Sequence, residues 1–269
     1  MSLSISASQV ATLIANPSSI SGYSASGPII ITGAITYSQA NSLNAVDATY
    51  IQATISETTV ANLSGISVNN STRASLNKFS MVISDTSATA AELSAVQALT
   101  SVAVDASNIT SIESSSASDI TTLIALTTAP TGISADPVTV SDTTVSATTL
   151  NTIDTFFSST VTATAATTIT GPLADIETAM SSGGITDNAD VAVTVTDTSV
   201  AAASLNTVNG LTTGVVTCSN ATTVTGTVTT VQTAMTANNA GTIAGIGAAN
   251  VTLDDPDTTG TQSYAVADI

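Results

Sequence analysis

Short runs of β-branched residues alternate with polar residues and then give way to segments of helical periodicity. Val138 and Val140 alternate with hydroxyl residues, and this period of two predicts a strand with one buried face. Just downstream, Val145, Leu150 and Ile153 fall on one face of a predicted helix. The pattern therefore predicts a strand followed closely by a short amphipathic helix.

A second strand and helix follow the first pair. The segment 159–171 contains small residues at its centre, which predicts two short strands with a bend between them. Gly171 and Pro172 are expected to end the strand and start a helix, because proline fits the first turn of a helix. We expect this helix to end at 181–184, "SSGG", with a glycine in the left-handed conformation.

The same motif recurs along the chain at a nearly constant interval. Asp85, Asp142, Asp197 and Asp254 each follow a short β-branched run. The interval is roughly 55 residues, and a fixed period of this kind is typical of repeat architectures. Strands that alternate with helices at a fixed period predict parallel strands joined by right-handed crossovers.

We therefore predict an α/β repeat solenoid, in which parallel strands alternate with short helices in a double βα repeat of roughly 55 residues. A right-handed parallel β-helix without helices is the alternative. The predicted boundaries are an N-terminal cap at 1–27, α/β solenoid repeats within 28–254 (about 28–80, 81–137, 138–192 and 193–250), and a C-terminal cap or docking segment at 251–269.

Two segments fall outside the repeat rhythm. Within 1–27 the sequence predicts a short amphipathic helix that Ser6 or Ser8 caps and Pro17 ends. The polar segment 65–80 is expected to be a loop inserted between repeats.

The charge pattern excludes several classes of partner. The formal net charge is −17, and Arg73 and Lys78 are the only basic residues. Nucleic-acid binding requires basic residues that neutralise phosphates, and an anionic membrane surface would repel this chain. Neither nucleic-acid binding nor insertion into a membrane is therefore expected, and no run of 18 apolar residues occurs.

The sequence also offers no conventional catalytic motif. It contains no histidine, so neither a Ser-His-Asp nor a Cys-His pair can form. The glycine-rich segment 245–251 precedes a predicted strand, whereas a dinucleotide-binding loop would follow one. Cys218 lies in a strand-like run and is expected to be a small buried apolar residue. We predict that the protein is not an enzyme.

The recurring aspartates have two interpretations. Each can cap the helix that follows it, because a carboxylate accepts hydrogen bonds from free helical N–H groups. Alternatively, they form a ladder of calcium ligands. The best single calcium site predicted from the sequence is the carboxylate cluster of Asp254, Asp255 and Asp257, because calcium takes six to eight oxygen ligands.

At "VTVSDTTVSATTLNTID" and "TATAATTITGPLADIETAMSSGGIT" the chain resembles the Thr/Ala/Ser/Asp-rich repeats of long surface proteins of marine cyanobacteria and alphaproteobacteria, and those of structural proteins of their phages. The resemblance covers about 28–254. It implies an extracellular, cell-surface or virion location, often with type I secretion. It supplies no catalytic residue, and the glycine-rich calcium nonapeptide of such secreted proteins is missing.

Together these features predict a non-enzymatic structural protein of an extracellular surface, filament, layer or fibre. A virion appendage or fibre of a marine phage is the first alternative, and a calcium-dependent adhesin or an ice-binding module, suggested by the threonine rows, is the second. We expect self-association, head to tail, in which the segment 251–269 pairs with another chain; other surface or virion proteins are further possible partners. Alternatively, 256–269 folds back on its own chain.

Overall fold

A computed structural model of the chain describes residues 2–25, 27–67 and 76–254 and consists of two compact units, Met1–Pro137 and Val138–Ile269. In both units, strands and helices alternate along the chain and the strands of each sheet pair in parallel. The predicted α/β class with parallel strands is confirmed.

The first unit begins with a strand and contains both long and very short elements. Its strands are β1 Leu3–Ser6, β2 Ile29–Ile35, β3 Ile51–Ile55, β4 Lys78–Ser80, β5 Ser87–Ala88 and β6 Ser111–Ser115. Its α-helices are α1 Val10–Ala15, α2 Tyr37–Ser42, α3 Val60–Leu63, α4 Ala90–Gln97 and α5 Ala117–Ile124. Short 3₁₀ turns cover Ala7–Gln9, Pro17–Ser19, Leu43–Ala45 and Ile133–Ala135.

Neighbouring strands of the first unit are also neighbours in sequence. One sheet has the order β1-β2-β3-β4, and β5 pairs with β6. Single bridges join Val82 to Asp105 and Asp105 to Thr131. Consecutive helices pack against each other, α1 on α2, α3 on α4 and α4 on α5.

The second unit has shorter strands and longer helices. Its strands are β7 Val138–Val140, β8 Thr144–Ser146, β9 Val161–Thr162, β10 Thr168–Gly171, β11 Ile185–Thr186, β12 Ala192–Val195, β13 Ser199–Ala201, β14 Val216–Thr217, β15 Thr223–Gly226, β16 Ile243–Ala244 and β17 Asn250–Leu253. Its helices are α6 Ala147–Phe156, α7 Leu173–Ser181, α8 Ala202–Leu211 and α9 Val228–Ala240.

The strands of the second unit form three rows, β11-β9-β7, β16-β14-β12-β10-β8 and β13-β15-β17. The helices pack in sequence order, α6 on α7, α7 on α8 and α8 on α9. Within this unit, each described helix therefore contacts the next helix along the chain.

Strand pairing does not follow the repeat period. Thr144 pairs with Thr168, and Thr168 pairs with Ala192, so the pairing partners follow one another at equal steps along the chain. Two such steps cover the distance from position 144 to position 192. One repeat covers a longer distance, from Asp142 to Asp197. Because the repeat is longer than two pairing steps, strands at equivalent repeat positions lie in different rows, β7 in the first, β12 in the second and β17 in the third.

The buried faces follow the alternation seen in the sequence. Val138, Val140, Leu150 and Ile153 are completely buried, which confirms the strand and the core face of the helix. Val145, predicted to be helical, lies instead in β8 opposite Ile169 of β10. Its β-branched side chain fits a pleated strand, and the helix begins only after Ser146.

At three further positions the local structure differs in part from the prediction. The helix predicted within 1–27 is present, but β1 precedes it and pairs with β2. In 65–80, residues 78–80 form strand β4 rather than loop, while 68–75 lie outside the described residues. The helix α7 ends at 181 as predicted, although neither glycine of 181–184 has a positive φ.

Candidate functional site

Two of the four recurring aspartates cap helices, but not the helices predicted. Oδ2 of Asp85 accepts a hydrogen bond of 2.7 Å from the backbone N–H of Val60, the first residue of α3 and 25 residues earlier. Oδ2 of Asp197 accepts one of 2.6 Å from Leu173, the first residue of α7 and 24 residues earlier. Each carboxylate therefore satisfies a free N–H of the preceding helix and favours it through the helix dipole.

The helices that follow these aspartates start too late for the predicted cap. After Asp85, α4 begins at Ala90 and Thr89 is its N-cap residue. After Asp197, α8 begins at Ala202, with Ala201 at the N-cap position. A short strand, β5 or β13, separates each aspartate from its following helix, so the predicted cap of the following helix is wrong for both residues.

Two other side chains make the same kind of contact. Oε2 of Glu57 accepts a hydrogen bond of 2.9 Å from the N–H of Tyr37, which opens α2. Oγ of Ser115 accepts one of 2.9 Å from Ala90, which opens α4. Sequence analysis missed both residues, although the spacing between each residue and the start of the preceding helix is a signal that could have identified them.

The remaining recurring aspartates are placed at similar junctions. Asp142 lies between β7 and β8, ahead of the N-cap residue Ser146 of α6, so it does not occupy the N-cap position of that helix. Asp254 follows β17, and its backbone N–H donates to the carbonyl oxygen of Gly226 at 3.0 Å. That bond continues the pairing of β17 with β15.

The predicted calcium cluster is described only at its first residue. Asp254 is exposed at the end of β17, whereas Asp255 and Asp257 lie outside the described residues. Within residues 2–25, 27–67 and 76–254, no group of three or more Asp, Glu, Cys or His side chains is arranged to hold a metal ion. The calcium hypothesis for Asp254, Asp255 and Asp257 therefore stays a prediction.

Cys218 is fully buried directly after β14, as its sequence environment predicted. Burial, with a smaller contribution from the negative charge of Asp197, raises the pKa of its thiol to about 11. A neutral, inaccessible thiol is a poor nucleophile, so this environment suits packing rather than covalent chemistry.

Other carboxyl groups have shifted pKa values for local reasons. Hydrogen bonds from the Ser107 hydroxyl and N–H lower the pKa of Asp105, in a short side-chain turn. Burial raises the pKa values of Asp136 and Asp187. These groups are separate along the chain, and no nucleophile–base pair accompanies them in the described hydrogen bonds.

Buried polar side chains of the first unit satisfy backbone groups. The side chain of Gln97 accepts from the N–H of Val104 at 2.9 Å and donates to the carbonyl oxygen of Val102 at 3.0 Å. The hydroxyl of Thr100 donates to the carbonyl oxygen of Phe79 at 2.8 Å. Such buried bonds fix the path of the chain between α4 and the next strand position.

Two surface depressions are open to solvent. One of about 430 Å³ lies on α9 and is lined by threonine, alanine and glutamine side chains: Thr229, Gln232, Thr233, Thr236, Ala237 and Ala240. Another, of about 210 Å³, lies over β2, β3 and β4 and includes Lys78. The ammonium group of Lys78 is 4.5 Å from the centre of the Tyr50 ring, a cation–π contact.

Hydroxyl groups form a row on the outer face of the longest sheet of the second unit. Ser146, Thr170, Thr194 and Thr217 stand opposite one another on β8, β10, β12 and β14, and Ala244 of β16 ends the row. Neighbouring strands of a sheet are about 4.8 Å apart, so the row has a regular spacing.

Comparison with known proteins gives no match. No protein-family model matches the sequence, and neither a curated protein nor a solved structure matches the chain. Among the described residues, no helix combines the length and the apolar character needed to cross a membrane.

Proposed function

We propose that the protein is a non-enzymatic structural protein, built as a parallel α/β solenoid, of an extracellular surface, filament, layer or fibre. The observation that carries this proposal is that bonds connect each strand–helix segment mainly to the next one along the chain. Strands pair with strands of the adjacent segment, and successive helices pack together. This is how repeat proteins bury their core.

The helix caps support the same arrangement. Glu57, Asp85, Ser115 and Asp197 each reach back along the chain to the first N–H of a helix in the preceding segment. Such bonds join neighbouring segments in addition to the strand pairing. Residues placed to connect successive segments are expected in a scaffold, whereas an enzyme would bring them together around a cleft.

The composition supports an exterior location. Charged residues make up only 8% of the chain, and acids outnumber bases by 19 to 2. A large net negative charge keeps separate molecules apart except where a specific contact forms, and salt outside a cell screens this repulsion.

Labelling the native source tests this function and its first alternative. Antibodies against the purified chain are applied to intact cells and to virus particles, and gold labels are located by electron microscopy. Label along surface layers or filaments supports the proposal. Label on particles assigns the protein to a virion appendage, and label confined to the cell interior contradicts both.

An ice-binding module is a second candidate, which the hydroxyl row from Ser146 to Thr217 favours. Regularly spaced hydroxyls on a sheet can order water, although threonine is also a common residue on a solvated strand. The test is thermal hysteresis of the purified protein, with Thr194→Lys as the variant and Thr229→Lys on α9 as the control. Hysteresis that Thr194→Lys abolishes supports the module, whereas equal freezing and melting points exclude it.

A further inference from the structure

Charged residues are absent from two long stretches of this acidic chain. No Asp, Glu, Lys or Arg occurs in 1–46 or in 198–253, and all charged side chains lie in 47–197 or from 254 onward. The first stretch contains β1, β2, α1 and α2, and the second contains β13 to β17 with α8 and α9. The strands β1 and β17 therefore carry no charged side chain in a chain whose net charge otherwise repels its own copies.

The uncharged stretch 198–253 ends in a strand that has one edge without a partner among the described residues. β17 is the terminal strand of its row, β13-β15-β17. The N–H of Asn250 donates to the residue before β15 at 2.9 Å, and the N–H of Asp254 donates to the last residue of β15 at 3.0 Å. Because successive residues of a strand direct their backbone groups to opposite sides, the N–H and C=O groups of Val251 and Leu253 point to the open edge.

The stretch 1–46 likewise begins with a strand that pairs on one side only, as far as residues 2–25, 27–67 and 76–254 show. β1 is the terminal strand of the sheet β1-β2-β3-β4. The N–H of Leu3 donates to the carbonyl oxygen of Pro28 at 2.9 Å, so the N–H and C=O groups of Ser4 point away from β2. The N–H of Ser6 is already bonded to Oε1 of Gln9 at 3.0 Å.

The helices beside these two strands are terminal as well. Among the described helices, α1 packs on α2 and α9 packs on α8, and each has a helical neighbour on one side only. Both helices follow strands that run in parallel sheets. A second copy that pairs its β1 with β17 would therefore continue the row β13-β15-β17 with a further parallel strand.

We propose that β17 of one copy pairs in parallel with β1 of a second copy, so that copies join head to tail. This inference rests on the proposed structural role and specifies its contact. An unpaired strand edge is a template for another strand, and specific interfaces are depleted of charged residues at their centre. Because the two paired surfaces differ, the contact is heterologous, and contacts of this kind build an open filament unless the rotation between copies closes a ring.

Cysteine cross-linking tests the joint directly in the full-length chain. Ser4 and Thr252 are exposed residues of β1 and β17, and the native Cys218 is buried. Neighbouring strands are about 4.8 Å apart, within the Cα separation that a disulfide spans. Mild oxidation of a mixture of Ser4→Cys and Thr252→Cys proteins is expected to yield a cross-linked dimer much faster than either variant alone.

A matched control uses another open edge. Thr186 is an exposed residue of β11, which is terminal in its row and is followed by Asp187. A mixture of Ser4→Cys and Thr186→Cys should cross-link no faster than the single variants. Equal rates in the two mixtures would contradict the proposed pairing.

A proline variant measures the backbone contribution. Val251→Pro removes an N–H that β15 does not use, so the chain should fold normally, as its circular dichroism spectrum will show. Loss of one hydrogen bond is expected to weaken self-association by about tenfold in sedimentation velocity. Unchanged association by a folded Val251→Pro protein overturns the proposal.

Truncation tests which partner pairs with the free edge of β17, a second copy or the chain's own C-terminal segment. If the full chain stays monomeric while a variant lacking 255–269 associates, the segment covers β17 in its own chain and the joint is wrong. Association of both proteins supports the joint. A protein that labels native filaments but fails the cross-linking test retains its structural role and loses only this contact.

Discussion

At the residue scale, single hydrogen bonds connect segments that lie far apart in sequence. The bond from Leu173 N–H to Asp197 is 2.6 Å long and charge-assisted. Hydrogen bonds of this class are stronger than neutral ones, and an acceptor at a helix start also interacts with the helix dipole. Asp197 therefore stabilises α7 from outside the helix.

We predict that Asp197→Ala lowers the free energy of unfolding by about 1–2 kcal/mol, because the first N–H of α7 loses its acceptor. Urea denaturation followed by circular dichroism measures the change. Glu177→Ala is the control, since Glu177 lies in α7 itself and its side chain makes no hydrogen bond in the part of the chain described. Equal effects of the two substitutions would attribute the loss to charge alone.

Cys218 makes stability depend on alkaline pH. Because burial raises the pKa of its thiol from 9.0 to about 11, the fold favours the neutral thiol over the thiolate. This contribution is complete below pH 9 and is lost as pH rises from about 9 to about 11.

The expected loss between these pH values is on the order of 2 kcal/mol more in the native protein than in Cys218→Ala, which has no thiol to ionise. Urea denaturation at pH 8, 9, 10 and 11 gives the free energy of unfolding of both proteins. Tyr23, whose pKa burial also raises, is present in both and cancels in the difference. Parallel pH profiles would show that Cys218 ionises freely in the fold.

At the element scale, the turns on either side of β16 contain glycines, and at one of them the backbone of another segment lies very close. Gly245 has φ +96°, and a Cβ there would lie 2.8 to 2.9 Å from the carbonyl group of Cys218 and its neighbouring nitrogen. Gly241 has a similar φ of +81° but no atom within 4 Å of such a Cβ. Substitution of Gly241 therefore tests backbone strain alone, whereas substitution of Gly245 tests strain together with steric overlap.

Gly241→Ala is predicted to cost about 1 kcal/mol, the usual penalty of a left-handed alanine. Gly245→Ala should cost at least about 2 kcal/mol more, because the backbone of the preceding segment must also move. Thermal and urea denaturation of both variants measure the difference. Similar costs would mean that the turn at Gly245 adjusts without disturbing the pairing of β14 with β16.

At the scale of the whole molecule, repulsion between like charges opposes compact folding. The net charge is −17 and the chain has only two basic residues, so it can form few attractive ion pairs that salt would weaken. Salt should therefore stabilise this protein, since the Debye length falls from about 30 Å at 0.01 M to about 3 Å at 1 M.

We expect Tm to rise steadily as sodium chloride increases over this range, measured by differential scanning calorimetry at pH 7. Calcium chloride at matched ionic strength tests the predicted site at Asp254, Asp255 and Asp257. A site that binds calcium in the native state raises Tm beyond the sodium curve, and Asp255→Asn should remove the excess. Identical sodium and calcium curves would exclude calcium binding by the folded chain.

The sequence by itself determined the class of local structure. Alternation at 138–140 and the helical spacing of Leu150 and Ile153 predicted β7 and the buried face of α6, because these patterns depend on residues only a few positions apart. The lack of histidine likewise limits the chemistry open to the chain, and composition alone determines this.

Tertiary structure decided which segments meet. The repeat makes β7 and β12 nearly identical in sequence, yet β12 pairs with β10 rather than with its own counterpart, because the pairing step is shorter than the repeat period. For the same reason Asp197 caps α7 and not α8. Sequence similarity cannot distinguish equivalent partners, and only the path of the chain in space brings one of them within hydrogen-bonding distance.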